Sequence, residues 1–145
     1  MGYWKRGKCQ WEAAMSKSES HNIKSFNPII YPSILYAAKN LTVDEINKRF
    51  VVFDGNGKES VADEKSICES KAVTFSVVDK RTNNFGVAVI LYNNATIGTL
   101  AHESVHAADI IFEQLGMYTQ GFNEGNEPYA YLVGWITDCL HKVYI

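Results

Sequence analysis

The sequence predicts an α+β domain: a small antiparallel sheet of about three strands packed under helices. Three observations predict it. Runs of β-branched and aromatic residues at 50–53, 72–78 and 86–92 have the composition of strands. Two longer stretches, 96–115 and 127–142, repeat their apolar residues every three or four positions, as helices do. The chain has 145 residues, 46% of them hydrophobic and 21% charged, which suits one ordinary core and a single domain over 1–145.

Each element has its own signal. Residues 1–27 are polar, serine-rich in the middle, and carry Trp4 and Trp11 as bulky anchors; they predict either a short helix or a flexible or docking N-terminal arm. Residues 28–40 predict a helix, with Ile29, Ile30, Ile34, Leu35 and Ala38 spaced for one buried face. Thr42-Val43-Asp44-Glu45 is a capping box, because the threonine hydroxyl can hold a first-turn amide while Glu45 reaches back. A short helix to about Arg49 follows. The period then changes to a strand at 50–53, and Asp54-Gly55-Asn56-Gly57 is a tight turn. Its acidic spacing faintly suggests a calcium loop, but Glu59 stands where the loop glycine belongs and Lys65 where the closing glutamate belongs. Polar residues 79–84 join 72–78 and 86–92 into an antiparallel pair. A glycine- and asparagine-rich loop separates the last two helices.

Composition excludes several functions. Fourteen Lys and Arg against sixteen Asp and Glu give a net charge of −2, without a polybasic footprint for nucleic acid or an anionic membrane. The longest apolar run, 87–92, is far short of the roughly 20 residues that span a bilayer. Lys5, Arg6 and Lys8 are followed by polar residues where a signal peptide needs its apolar centre. Cys9, Cys68 and Cys139 lie far apart with no CxxC pair, so neither a disulfide framework nor a cysteine zinc site is expected, and the expected compartment is a reducing cytoplasm.

His102-Glu103-Ser104-Val105-His106 is H-E-x-x-H within a predicted helix. Residues four apart stand one above the other on a helix, so two imidazoles can grip one zinc ion. Glu103 is rotated off that line and suits a general base acting on a metal-bound water. On a helical wheel Ile97, Leu100, Ala101, Val105, Ala108, Ile111, Phe112 and Leu115 share one side, and His102, His106, Asp109 and Glu113 form a stripe beside it.

Catalytic zinc usually takes three protein ligands and leaves one position for water. Asp109 lies too far along its helix to be the third, so it reads as an acceptor for an imidazole N–H or as an exposed charge. Glu113 reads as solvated, His141 as too distant, and His21 as lacking context. Glu127, at the head of the last helix with small Ala130 and Gly134 on its face, is the expected third ligand; Glu124 and Asp138 are the alternatives. Pro128 fits the first turn of that helix.

His102-Glu103-x-x-His106 followed by Asn126-Glu127-x-x-Ala130 resembles the zincin metallopeptidases in their gluzincin arrangement, and is similar to small zincin-like proteins encoded in phages and prophages. The resemblance covers about a third of the chain. It implies zinc held by His102, His106 and Glu127, Glu103 as base, and a strand at 86–92 that holds an extended peptide by edge pairing. The expected function is therefore zinc-dependent hydrolysis of a peptide or protein substrate. Tyr131 is the expected donor to the oxyanion, with Tyr129 second. Two other functions fit the residues: a non-catalytic interaction protein with a structural zinc, and hydrolysis of a non-peptide amide.

Overall fold

The β-branched runs do pair, and they pair in the middle of a larger sheet. The structure is a computed structural model that describes residues 22–145. Six strands, β1 (Lys24–Phe26), β2 (Ile34–Lys39), β3 (Phe50–Phe53), β4 (Glu59–Ser60), β5 (Ala72–Asp79) and β6 (Phe85–Leu91), form one sheet in the order β1-β2-β6-β5-β3-β4. Among the described residues four helices accompany them: α1 (Val43–Arg49), α2 (Glu64–Cys68), α3 (Ile97–Gln114) and α4 (Glu127–Tyr144). The class is α+β, as expected, but the sheet is twice the predicted size and mixed, because β2 runs parallel to β6. The expected hairpin is present as the antiparallel β5–β6 pair.

The predicted helix at 28–40 is corrected: Ile34–Lys39 is strand β2. Pro32, in the middle of that segment, removes a helical N–H and clashes with the preceding turn. Leu35, Tyr36, Ala37 and Ala38 are all buried. A strand covered on both faces shows no alternation, so its run of apolar residues mimicked a helix face. Leu35 and Ala37 face the core under α3 and α4, while Tyr36 and Ala38 face a second core with Ile46 of α1 and Ile67 of α2. Lys24–Phe26, within the segment expected to be an arm, is strand β1; residues 1–21, with Trp4, Trp11 and His21, lie outside the described residues.

The capping box is as predicted. Thr42 Oγ1 accepts from the Glu45 N–H, and Glu45 Oε2 accepts from the Thr42 N–H, both at 3.1 Å. Asp54 Oδ1 accepts from the N–H groups of Asn56 and Lys58 at 2.8 and 3.0 Å, which holds the β3–β4 turn. No helix among the described residues is long and apolar enough to cross a membrane. Cys139 is a buried free thiol, whereas Cys68 is disulfide-bonded, in a chain where no disulfide framework is expected.

One ion pair locks α1 and β3 to β5. Arg49 Nε donates to Asp79 Oδ1 at 2.9 Å and Nη2 to Oδ2 at 3.1 Å, and Asp79 is 1% exposed. The Arg49 guanidinium holds the Asp79 carboxyl down at about 2, below its ordinary 3.8. A depressed carboxylate contributes stability above its unfolded pKa and loses it as pH falls through the folded value, here between about 4 and 2. The contribution is about 2 kcal/mol. Asp79→Asn is expected to lower the urea midpoint at pH 7 and to flatten its fall between pH 4 and 2.

Candidate metal centre

Helix α3 begins where Thr96 Oγ1 accepts from the Thr99 N–H at 3.3 Å, and it lies across β5 and β6. Its buried residues are Leu100, Glu103, Ser104, Ala107, Ala108, Ile111 and Phe112. That face is rotated from the one expected: Ile97, Ala101 and Val105 are exposed. The rotation carries the two histidines with it. His102 and His106 stand in solvent on the outer side of the helix, and the tucked-in member of the motif is Glu103, 7% exposed.

The imidazoles converge as the motif predicts. Nε2 of His102 and Nε2 of His106 are 3.0 Å apart, with the rings nearly edge to face. Two zinc–nitrogen bonds of about 2.05 Å at a tetrahedral angle place their nitrogens about 3.3 Å apart. A shift of a few tenths of an ångström therefore lets both rings bind one ion. On the sheet side, the Thr74 hydroxyl of β5 donates to Glu103 Oε2. This fixes one carboxylate oxygen of Glu103. Thr74 was missed by the sequence reading, because an inward Thr on a strand carries no local signal of what it faces.

Two grooves meet at Glu103. One, of about 400 Å³, is lined by 72–75 of β5 with Glu103, His106, Asp109 and Ile110. The other, of about 430 Å³, is lined by Ser70, Lys71, Ala72, Thr96, Thr99, His102 and Glu103 among others. The strand beside both is β5, not β6. β6 is paired on both sides, with β2 and β5, so the expected edge pairing at 86–92 is corrected. The ladder from β3 reaches β5 only over Ser76–Asp79. Residues 72–75 therefore have no strand partner on that side among the described residues, and this open half-edge runs past Glu103.

The structure does not bring the expected third ligand to the pair. Helix α4 runs antiparallel to α3: Thr137 Oγ1 donates to Ser104 Oγ at 2.8 Å, and the Tyr129 ring packs on Phe112. Thr137 is thus level with the middle of the motif, and Glu127 lies ten residues away along α4, about 15 Å at the helical rise. Glu127 lines an outer groove of α4 with Ala130, Tyr131, Gly134, Trp135 and Asp138. That groove also takes Asp138 away from the imidazoles, and Glu124 sits in the Phe122–Glu124 turn of the preceding loop. Among the described residues no three His, Cys, Asp or Glu side chains form a group that could hold a metal. The residues present fit two of the three protein positions of a catalytic zinc.

Tyr131, the expected oxyanion donor, is 75% exposed in the outer groove of α4, away from Glu103. Tyr129 is the tyrosine that reaches α3. Its hydroxyl donates to Asp109 Oδ1 at 2.6 Å, and burial together with that carboxylate pushes its pKa up to about 12. Asp109 is therefore engaged by Tyr129 and lies in the groove that His106 lines.

The chain matches no protein-family model, no curated protein and no solved structure.

Proposed function

We propose that the chain is a metal-dependent hydrolase of peptide bonds, centred on His102, Glu103 and His106. The observation that carries this reading is the convergence of the two Nε2 atoms directly beside a buried, singly anchored glutamate. His102 and His106 would hold zinc, which when bound lowers the pKa of its water and polarises a carbonyl. Glu127, the acid that the family resemblance assigns, would have to be carried to the pair by a rearrangement of α4.

The chain's own part in the chemistry follows from Glu103. Thr74 occupies Oε2, so Oε1 is left to accept a proton from the attacking water and to return it to the leaving amine. The wall of β5 excludes water from one side of the carboxylate, and a carbonyl held there reacts in a less polar setting than bulk solvent. The open half-edge at 72–75 offers backbone hydrogen bonds to an extended substrate, a common mode of peptide recognition.

A structural zinc in a non-catalytic interaction protein requires four protein ligands. A catalytic zinc takes three, and the described residues bring two together. The test is zinc titration of metal-stripped protein by calorimetry, with His106→Ala alongside. One ion per chain, bound at least 100-fold more weakly by the variant, is expected. Equal affinity in the two proteins, or no binding by either, overturns the assignment.

A further inference from the structure

Among the described residues, the end of the helical layer around the α3–α4 loop is acidic. From Thr82 to His141 there is no Lys or Arg, while Glu103, Asp109, Glu113, Glu124, Glu127 and Asp138 are all acidic. This stretch supplies α3, the loop after it and α4 as far as His141. All of these acids except Glu103 are exposed. The cations of this layer stand away from its α3–α4 loop end: Lys142 is in the last turn of α4 and Lys71 lines a groove at Glu103. Lys80 Nζ donates to the Asn47 carbonyl of α1 at 2.7 Å, and Arg81 lines a cleft beside α1 with Lys48 and Arg49. The one salt bridge among the described residues, Arg49 to Asp79, is remote from this helical layer.

The same layer ends in an apolar tip. Tyr118 is 90% exposed and Phe122 is fully exposed on the α3–α4 loop. Beside the end of α3 stands the β1–β2 loop, tied there by Ser33 Oγ donating to Gln114 Oε1 at 2.8 Å and by Tyr31 against Phe112. This loop displays Ile29 and Ile30, 86% and 78% exposed. Ile29 has φ +69, a left-handed conformation that a β-branched residue adopts only under strain, and Asn27 Oδ1 holds its N–H at 2.8 Å. Two loops, the β1–β2 loop tied to the end of α3 and the α3–α4 loop that follows α3, thus each expose large apolar side chains at this acidic end. Large exposed apolar side chains gathered at one end of a domain are a mark of interaction surfaces.

We propose that this end is a docking surface for a protein segment carrying Lys or Arg beside large apolar side chains. Ile29, Ile30, Tyr118 and Phe122 take the apolar side chains, and Glu113 and Glu124 take the cations. Aromatic rings next to carboxylates also favour a cationic partner directly. The acidic surroundings disfavour an anionic membrane as the occupant. The surface is separate from the grooves at Glu103, so the inference stands without the hydrolase reading.

The probe is a fluorescein-labelled peptide of alternating Leu and Lys, read by anisotropy against the full chain. Binding is expected, weakened at least 10-fold by Tyr118→Ser/Phe122→Ser and several-fold on raising salt from 50 to 500 mM, since exposed charges are screened. Glu64→Gln, on the opposite face, is expected to leave it unchanged. Circular dichroism verifies that each variant is folded. A Leu/Glu peptide binding as well as Leu/Lys overturns the proposal. So do unaltered binding by the double variant, absence of binding, a preference for phosphatidylserine vesicles over the peptide, or dimerisation through this end on sedimentation.

Discussion

Replacing Glu103 by Gln is expected to lower turnover of a quenched fluorescent peptide library by about 10²–10⁴-fold, the usual worth of a positioned general base. The amide has nearly the shape of the carboxylate and can still accept from Thr74, so the fold and the two imidazoles stay in place. Zinc affinity should therefore remain within a few-fold of wild type while cleavage falls. This separation distinguishes a base from a ligand: loss of zinc together with activity would put Glu103 in the metal's coordination. Turnover equal to wild type would remove it from the chemistry altogether.

Gly86→Ala is expected to cause the largest loss of stability, about 3 kcal/mol, because it overfills a place where nothing can yield. Gly86 stands in β6 opposite Ile34 of β2. A Cβ there would lie 2.0 Å from the Ile34 carbonyl oxygen and 2.9 Å from its carbon, both backbone atoms. The same junction is tied to the helical layer: Gln114 Nε2 donates to the Gly86 carbonyl at 2.8 Å and to Ser76 Oγ at 3.0 Å. Displacing β2 from β6 would disturb β5 and the end of α3 as well. Gly55→Ala is the control, since its methyl meets nothing within 4 Å, and a change below about 0.5 kcal/mol is expected. Urea denaturation of both variants measures the difference. Equal midpoints would mean that β2 and β6 are not in this register.

The two grooves at Glu103 and the acidic apolar tip lie on different parts of one helical layer. A partner held at the tip would leave the trough beside β5 open, so docking and cleavage can be measured independently. Tyr129 is the physical link between these regions, packing on Phe112 toward the tip while its hydroxyl holds Asp109 in the His106 groove.

Local chemistry was legible in the residue order. The Thr42 box, the start of α3 at Thr96, the β5–β6 hairpin and the pairing of His102 with His106 each depend on residues a few positions apart, whose geometry the backbone dictates. What depends on distant contacts was not legible. Whether 28–40 is helix or strand turned on β6 and helices covering both faces of Leu35 to Ala38, which erased the alternation that marks a strand. The distance of Glu127 from the histidines is set by the antiparallel register of α3 and α4, which Ser104, Thr137, Phe112 and Tyr129 decide by packing. The sequence by itself determined that His102 and His106 share a helix face with Glu103 beside them, because helix periodicity is local. Only the tertiary structure decided that Glu103 is the buried one and that the open strand beside it is β5, because burial and pairing belong to contacts between segments far apart in the chain.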